Sequence, residues 1–343
     1  MIRLYFDPDQ IPPSKKHCIL LFPFLGNLDR DPASPDFGRF DDYCRCAASL
    51  FALTQNAGDC DAVLMPFDYA FDADSHKAAY NLGRLAAQHG RKLIIFCNHD
   101  EDKAIEAPGA VIFRTSSRPG GRPGEHGFPA WSADMLPALA PDWEPRPLPT
   151  EPTVSYCGYL DYLDSQERFS RERFAALARR YLQGRLGNRY VLGPQLRGRA
   201  LRALIRAGVE THIIRRSGFW APGLDPQTAR AEFFANLMSS TYALVARGAG
   251  NFSYRLYEAL SCARTPLYID SGSLLPFSRQ LDWASLLVRV PARDIERAPE
   301  ILHERHRLIA GHAAVEWQRR LRTTYKEWLS PQGFFAHLHL CLP

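Results

Sequence analysis

No stretch of these 343 residues is both long and apolar enough to serve as a signal peptide core or a membrane span. The best run, Cys18 to Gly26, is interrupted by Pro23 and is far too short to cross a bilayer. Paired cysteines are missing too. The eight cysteines, at 18, 44, 46, 60, 97, 157, 262 and 341, include no CxxC and no matching histidine spacing, which excludes the usual zinc motifs. Cys18 and Cys97 sit inside apolar runs, as buried reduced thiols do in a cytosolic protein. Lysine is scarce: the 42 basic residues are mostly arginines, and against 37 acidic ones they leave a net charge of only +5. The basic residues lack the interleaved aromatics of a groove for single-stranded nucleic acid, so nucleic acid is not an expected partner. Low-complexity tracts are absent, and 46% of the residues are apolar. Nearly the whole chain should therefore fold, in more than one domain at this length.

What is present is a repeating strand and helix pattern. In the first half, HCILLFPF at 17–24, DAVLMPF at 61–67, KLIIFC at 92–97 and AVIFRT at 110–115 read as strands. Helical patterns lie between them near 40–54 and 75–89, which implies right-handed crossovers and a parallel sheet. From 116 to 150 the chain is rich in proline and glycine and reads as a site-facing loop and a linker. The alternation then restarts, with strands at 153–159, 209–214, 242–247 and 266–270 and helices at 166–182, 228–240 and 253–263. A helical segment follows from about 294 to 329. Two doubly wound α/β domains, over 1–150 and 151–310, are expected, with 311–343 as a final helical segment.

The most informative stretch is YALVARGAGNFSYRLYEALSCARTPLYID, residues 242–270, reading strand, glycine turn, helix, strand. Gly248 and Gly250 leave no side chain between the main chain and a ligand. Asn251 or Ser253 is placed to cap the helix, whose free N–H groups and dipole would then face an anion such as a diphosphate. Arg255 and Glu258, three apart, share one helix face, which an ordinary surface ion pair would also explain. A dense run of arginines, Arg197, Arg199, Arg202, Arg206, Arg215 and Arg216, is a candidate anion-facing surface. Neither Asp100-Glu101-Asp102 nor Asp29-Arg30-Asp31 makes a convincing Asp-x-Asp metal motif, so no metal and no other cofactor is expected.

A proton acceptor for a hydroxyl nucleophile would come from strand ends of the first domain, where reactive groups collect in parallel sheets. The candidates are Asp68, His99 and Asp100, together with Glu125 and His126 in the glycine-rich loop. Tyr69, Phe71, Trp131 and Trp220 could stack on sugar rings, although core packing explains each of them as well.

One family resemblance ties these residues together. The pattern Arg247-Gly248, Ser253-x-Arg255-Leu256-x-Glu258-Ala259-Leu260, Pro266, Leu275-Pro276-Phe277 and Leu281-Asp282-Trp283, led by Ser240 and Tyr242-Ala243-Leu244, resembles the C-terminal signature of exostosin-type glycosyltransferases. Its strong part covers about 230–300, with echoes at 61–69 and from Lys92 to Phe113. It departs from the family at Ala246 and at Ala263-Arg264-Thr265. The resemblance implies a GT-B fold: two Rossmann-like domains facing a central cleft, with a C-terminal helix crossing back to the first. It implies transfer, inverting and without a metal, from a UDP-sugar to a saccharide or lipid-linked glycan acceptor in surface polysaccharide or glycoconjugate synthesis. Arg247 would hold the diphosphate, Ser253 and Arg255 would lie near the phosphates, and Glu258 would accept from the ribose hydroxyls. Leu275-Pro276-Phe277 and Trp283 would fix a loop over the nucleotide. A catalytically silent scaffold for an active transferase is the alternative. With no membrane anchor in view, a cytoplasmic protein at most resting on the inner face of the membrane is expected.

Overall fold

The apolar runs assemble into two separate parallel sheets in the computed structural model, which describes residues 1–160, 192–218, 221, 223–311 and 313–342. The chain divides into two compact units, one comprising Met1–Ala133, Gly272–Leu281 and Thr324–Pro343, the other Asp134–Ser271 and Asp282–Thr323. This differs from a division after residue 150. The stretch 134–150 is not a bare linker, because its short helix Met135–Leu139 buries Met135 and Leu136 among Phe234, Leu237 and Ala259 of the second unit.

The first unit has six strands: β1 (Ile2–Tyr5), β2 (Phe51–Thr54), β3 (Ala62–Leu64), β4 (Lys92–Cys97), β5 (Val111–Arg114) and β6 (Glu125–Gly127). They lie in the order β2-β1-β3-β4-β5-β6, and every pairing is parallel. Helix α1 (Asp41–Leu50) precedes β2, and α2 (Ala73–Gln88) joins β3 to β4. The expected strand at 17–24 is not one. Residues Ile19–Leu21 form a 3-10 turn and Phe22–Leu25 a single helical turn with Pro23 in its first turn, where a proline's missing N–H costs nothing. That run is apolar because Leu20 and Leu21 are fully buried, not because it extends. The true first and second strands, β1 and β2, are too short to stand out by periodicity.

The last residues belong to this unit. Phe334 and Phe335, each 1% exposed, enter its core; Phe335 stacks on Tyr43 at 4.2 Å between centroids, and Trp131 Nε1 donates to the Leu329 carbonyl at 2.7 Å. Truncating either phenylalanine to alanine would cost about 3–5 kcal/mol. Leu275 and Phe277 are buried here as well, Phe277 packing on Phe334 at 5.2 Å.

The second unit has β7 (Thr153–Tyr159), β8 (Glu210–Arg216), β9 (Tyr242–Ala246), β10 (Thr265–Asp270) and β11 (Val288–Pro291) in the order β11-β10-β9-β7-β8, again all parallel. Its helices include α3 (Leu192–Arg206), α4 (Pro226–Met238), α5 (Tyr254–Ser261), α6 (Ala298–Ile309) and α7 (Ala313–Thr324). The expected helix at 166–182 and Trp220 lie outside the described residues. In each unit the first strand has the second on one side and the third on the other. Between the first and third strands the crossovers diverge, and a crevice opens at their carboxyl ends. In the second unit that switch point falls between β7 and β9.

Candidate functional site

Tyr242–Ala246 of β9 are all buried, as a central strand covered on both faces requires. The turn that leaves this strand begins at Arg247, 7% exposed, and is closed by the Gly248 N–H donating to the Phe252 carbonyl at 2.8 Å. Ser253 takes the N-cap position of α5 with extended backbone, φ −150° and ψ 126°, but its hydroxyl makes no capping bond. Asn251 is not the cap either: its Oδ1 accepts from the Ser271 hydroxyl at 2.6 Å. The first-turn N–H groups of this eight-residue helix thus receive no capping bond from the Ser253 hydroxyl.

The closest backbone approach at this turn is made at a glycine outside it. Gly248 has ordinary backbone, and a Cβ added there would meet only the Phe252 carbonyl at 3.7 Å. The intolerant glycine is Gly193 on α3, where a Cβ would lie 2.7 Å from the carbonyl oxygens of both Arg247 and Gly248. One turn further along α3, Arg197 is 5% exposed and reaches both strand ends. Its Nη1 donates to the Tyr159 carbonyl at 2.7 Å and its Nη2 to the Arg247 carbonyl at 2.8 Å, tying β7 to β9 across the switch point. Its Nε is buried without a partner, and burial pulls its pKa down, Arg255 adding to the effect. Arg255 donates to the Cys157 carbonyl and lies over the Tyr156 ring at 4.5 Å and the Phe233 ring at 5.5 Å. Its own Nε is also buried and unpartnered. Neither Arg197 nor Arg255 has a carboxylate against it among the described residues, and a buried guanidinium beside a half-buried one, both without a counter-anion, form an anion site in waiting.

Arg255 and Glu258 do not pair with each other. Glu258 Oε1 accepts from Arg230 Nη1 of α4 at 3.0 Å, with both side chains about one-tenth exposed at 11% and 14%. Gly250 is buried in the turn, whereas Arg215 is exposed on β8, the edge strand. Its neighbour Arg216 is held by Glu232 at 2.5 Å. Arg264 is at the opposite end of the sheet from the turn, beside the start of β10, donating to the Cys262 and Ser240 carbonyls and to Gln318. It takes no part in the site.

The first unit separates the candidate proton acceptors. Glu125 is consumed by structure: its Oε1 accepts from Arg114 Nη1 at 2.5 Å, with side-chain exposures of 1% and 0%, and its Oε2 from the Arg122 N–H at 2.9 Å. His126 lies against Phe113, its pKa lowered chiefly by burial. Both residues line a groove of about 1290 Å³ along the β5 and β6 edge of the sheet. His99 follows β4, and its Nδ1 accepts from the Glu101 N–H at 3.1 Å; Asp100 is next to it, exposed. Asp68 follows β3 with its Oδ1 buried and unpartnered. Tyr69 and Trp131, 1% and 3% exposed, are core residues, and Phe71 packs on Tyr69 and His99. Among the described residues no three His, Cys, Asp or Glu side chains are grouped to hold a metal ion, and no helix is long and apolar enough to cross a membrane.

With this geometry in hand, residues 187–304, which contain α3, β9, the turn and α5, match the family model of the Exostosin GT47 domain. The chain is 31% identical over 134 residues to the Caenorhabditis elegans Exostosin-1 homolog, and that match spans 36% of this chain and 35% of the relative. With Drosophila melanogaster Exostosin-1 it shares 29% identity over 94 residues, 26% of this chain and 12% of the relative. The chain therefore matches only about a third or less of each of these relatives. Among solved structures, Anabaena Alr3699/HepE in complex with UDP-glucose aligns over 100% of both chains at 10% identity and a TM-score of 0.35.

What sequence reasoning missed in this region is Arg197 as a tie between strand ends, Arg230 as the partner of Glu258, and Gly193 as the close-approach glycine. Arg197 stood in the arginine-dense run, but nothing local set it apart from Arg199 or Arg202.

Proposed function

We propose that the chain is a glycosyltransferase that takes a sugar from a UDP-sugar donor, holding the diphosphate over the β7 and β9 strand ends and passing the sugar to a saccharide or lipid-linked glycan. The observation that carries this reading is the pair of acid-free guanidiniums of Arg197, buried, and Arg255, half-buried with its Nε shut off from water, beside Arg247 and the start of α5, where Ser253 makes no capping bond. Fixed cationic donors at a leaving diphosphate stabilise the charge that grows there in the transition state, the work a divalent metal does elsewhere. Inversion without a metal is part of this reading, as is action in the cytoplasm on a bacterial surface glycan. In the same reading Glu258, oriented by Arg230, accepts from the ribose hydroxyls.

Calorimetric titration with UDP tests the site. Arg247→Ala is expected to weaken binding about 10- to 100-fold, the effect of losing one charge-assisted hydrogen bond, and Glu258→Ala to weaken UDP and uridine alike. Parental affinity in both variants would refute it. A thermal-shift screen of sugar nucleotides with and without EDTA reads the donor class and the metal requirement, because a bound ligand raises native stability by mass action. Turnover by the purified chain alone excludes a silent scaffold.

A further inference from the structure

The second unit buries one more arginine without supplying it an acid. Arg264 lies between α5 and β10 and is 3% exposed. In the first unit a buried guanidinium meets a carboxylate, as Arg114 meets Glu125. Arg264 meets only neutral acceptors, each at long reach. Its Nε donates to the Cys262 carbonyl at 3.3 Å, its Nη1 to the Ser240 carbonyl at 3.4 Å and its Nη2 to Gln318 Oε1 at 3.3 Å, where a well-formed bond measures about 2.9–3.0 Å. The carboxyl end of α5 adds only the partial negative charge of its last carbonyls. Among the described residues no carboxylate faces Arg264. The acids that act on its neighbour Cys262, Asp134 and Glu258, are held by Arg322 at 2.6 Å and by Arg230 at 3.0 Å. The charged side chain that does face Arg264 is Arg146, and burial together with that cation brings its pKa down to about 10. It is still charged at neutral pH, and a buried charge without a counter-charge is destabilising.

The segment 143–146 completes the surroundings. Trp143 is half-buried with its ring centroid 5.8 Å from the Arg264 guanidinium, and its Nε1 is shut off from water with no acceptor. Arg146 is exposed, and its main chain is tied to α7: its carbonyl accepts from Gln318 Nε2 at 2.6 Å, and its N–H donates to Gln318 Oε1 at 3.5 Å. Gln318 Oε1 is thus shared by two donors, both at long distance. Two guanidiniums and an indole N–H that lacks an acceptor gather here with no acid among them. All of these residues belong to the second unit and lie at the amino ends of β9 and β10, the opposite end of the parallel sheet from Arg197 and Arg247.

We propose that Arg264, Arg146 and the Trp143 indole bind a tetrahedral oxyanion, a phosphate either free or at the end of a larger molecule. The Arg264 fork offers N–H donors to two oxygens, the indole N–H serves a third, and exposed Arg146 draws the anion from solvent. The proposal is independent of the donor reading, with which it shares no residue.

The test follows the indole N–H signals of the six tryptophans in a nitrogen-15 spectrum, with Trp143 assigned by Trp143→Phe, as inorganic phosphate replaces chloride at constant ionic strength. The Trp143 signal is expected to shift and saturate in the parent and to stay fixed in Arg264→Met. Phosphate should raise the Tm of the parent by about 2–4 °C over chloride and leave that of the variant unchanged. Without phosphate, Arg264→Met should be at least as stable as the parent, because an unpaired buried charge is gone; an arginine that only serves the end of α5 would leave the variant less stable. Arg146→Met, at an exposed position, should weaken phosphate about 3- to 10-fold, and it carries the test if Arg264→Met does not fold. Glucose 1-phosphate in place of phosphate tells an attached phosphate from a free one: a shift of the same Trp143 signal assigns the former, and a response to inorganic phosphate alone the latter. UDP should bind Arg264→Met with the parental Kd, and loss of both ligands together would place the phosphate effect elsewhere and overturn the proposal. A Trp143 signal in the parent that ignores phosphate, or a shift that survives in Arg264→Met, overturns it as well.

Discussion

Replacing Arg197 with lysine removes a side chain that spans the switch point of the second unit. Its two bonds, 2.7 Å to the Tyr159 carbonyl and 2.8 Å to the Arg247 carbonyl, come from the two arms of a planar fork, which a compact ammonium on a shorter stem replaces poorly. Hydrogen bonds from charged donors are worth about 1.5–3 kcal/mol each, and a carbonyl left buried without a partner costs about 1–3 kcal/mol. Against this, lysine is relieved of part of the desolvation penalty that depresses the arginine's pKa. The balance is a loss of about 1–3 kcal/mol of stability at one unsatisfied carbonyl. The effect on ligand should be larger in ratio. If Arg197 both presents its free Nε to the diphosphate and holds the Arg247 backbone in place, UDP binding should fall by about 2–3 kcal/mol, or about 30- to 150-fold at 1.4 kcal/mol per tenfold. Uridine, which has no phosphate, should bind as it does to the parent. Calorimetry with UDP, UMP and uridine on the parent, Arg197→Lys and Arg197→Met measures this directly. Equal loss for UDP and uridine would mean that the arginine only supports the fold, and no loss for UDP would refute the anion site as drawn.

Gly193→Ala should cost about 1–3 kcal/mol, because its Cβ would sit 2.7 Å from two backbone oxygens and push α3 away from the turn; chemical denaturation and UDP affinity should both register it. Arg230→Met strands Glu258, and the loss of about 1–3 kcal/mol should shrink when Glu258→Gln is added, since a partly buried pair costs more to break than to remove. The pH dependence of stability should carry the mark of Asp68. Its carboxyl is raised in the folded state to about 6 from an unfolded value near 4. The folded state therefore binds more protons across that window, and its contribution is favourable only while Asp68 is protonated. Stability should fall by up to about 2–3 kcal/mol as pH rises from about 4 to about 6, and denaturation of Asp68→Asn should lack that fall.

The amino-acid sequence by itself determined the elements whose signals are local. KLIIFC reads as a strand and is β4 to the residue, and the buried run before Arg247 and the amphipathic stretch after Ser253 are β9 and α5. These are legible because a central strand must be continuously apolar and a covered helix must repeat its apolar positions about every 3.6 residues. The resemblance to exostosin-type transferases was legible for the same reason, since its densest part lies in one strand, turn and helix. A three-residue strand such as β6 leaves too few positions for any period to show, and the glycine-rich loop concealed it and the Arg114 to Glu125 pair. Only the tertiary structure decided which arginines matter. Arg197 lies 38 residues from Tyr159 and 50 from Arg247 along the chain, and Arg230 lies 28 from Glu258. They meet because β7 and β9 are neighbours although β8 intervenes in sequence, so the crossovers part at their carboxyl ends and gather distant donors over a single crevice.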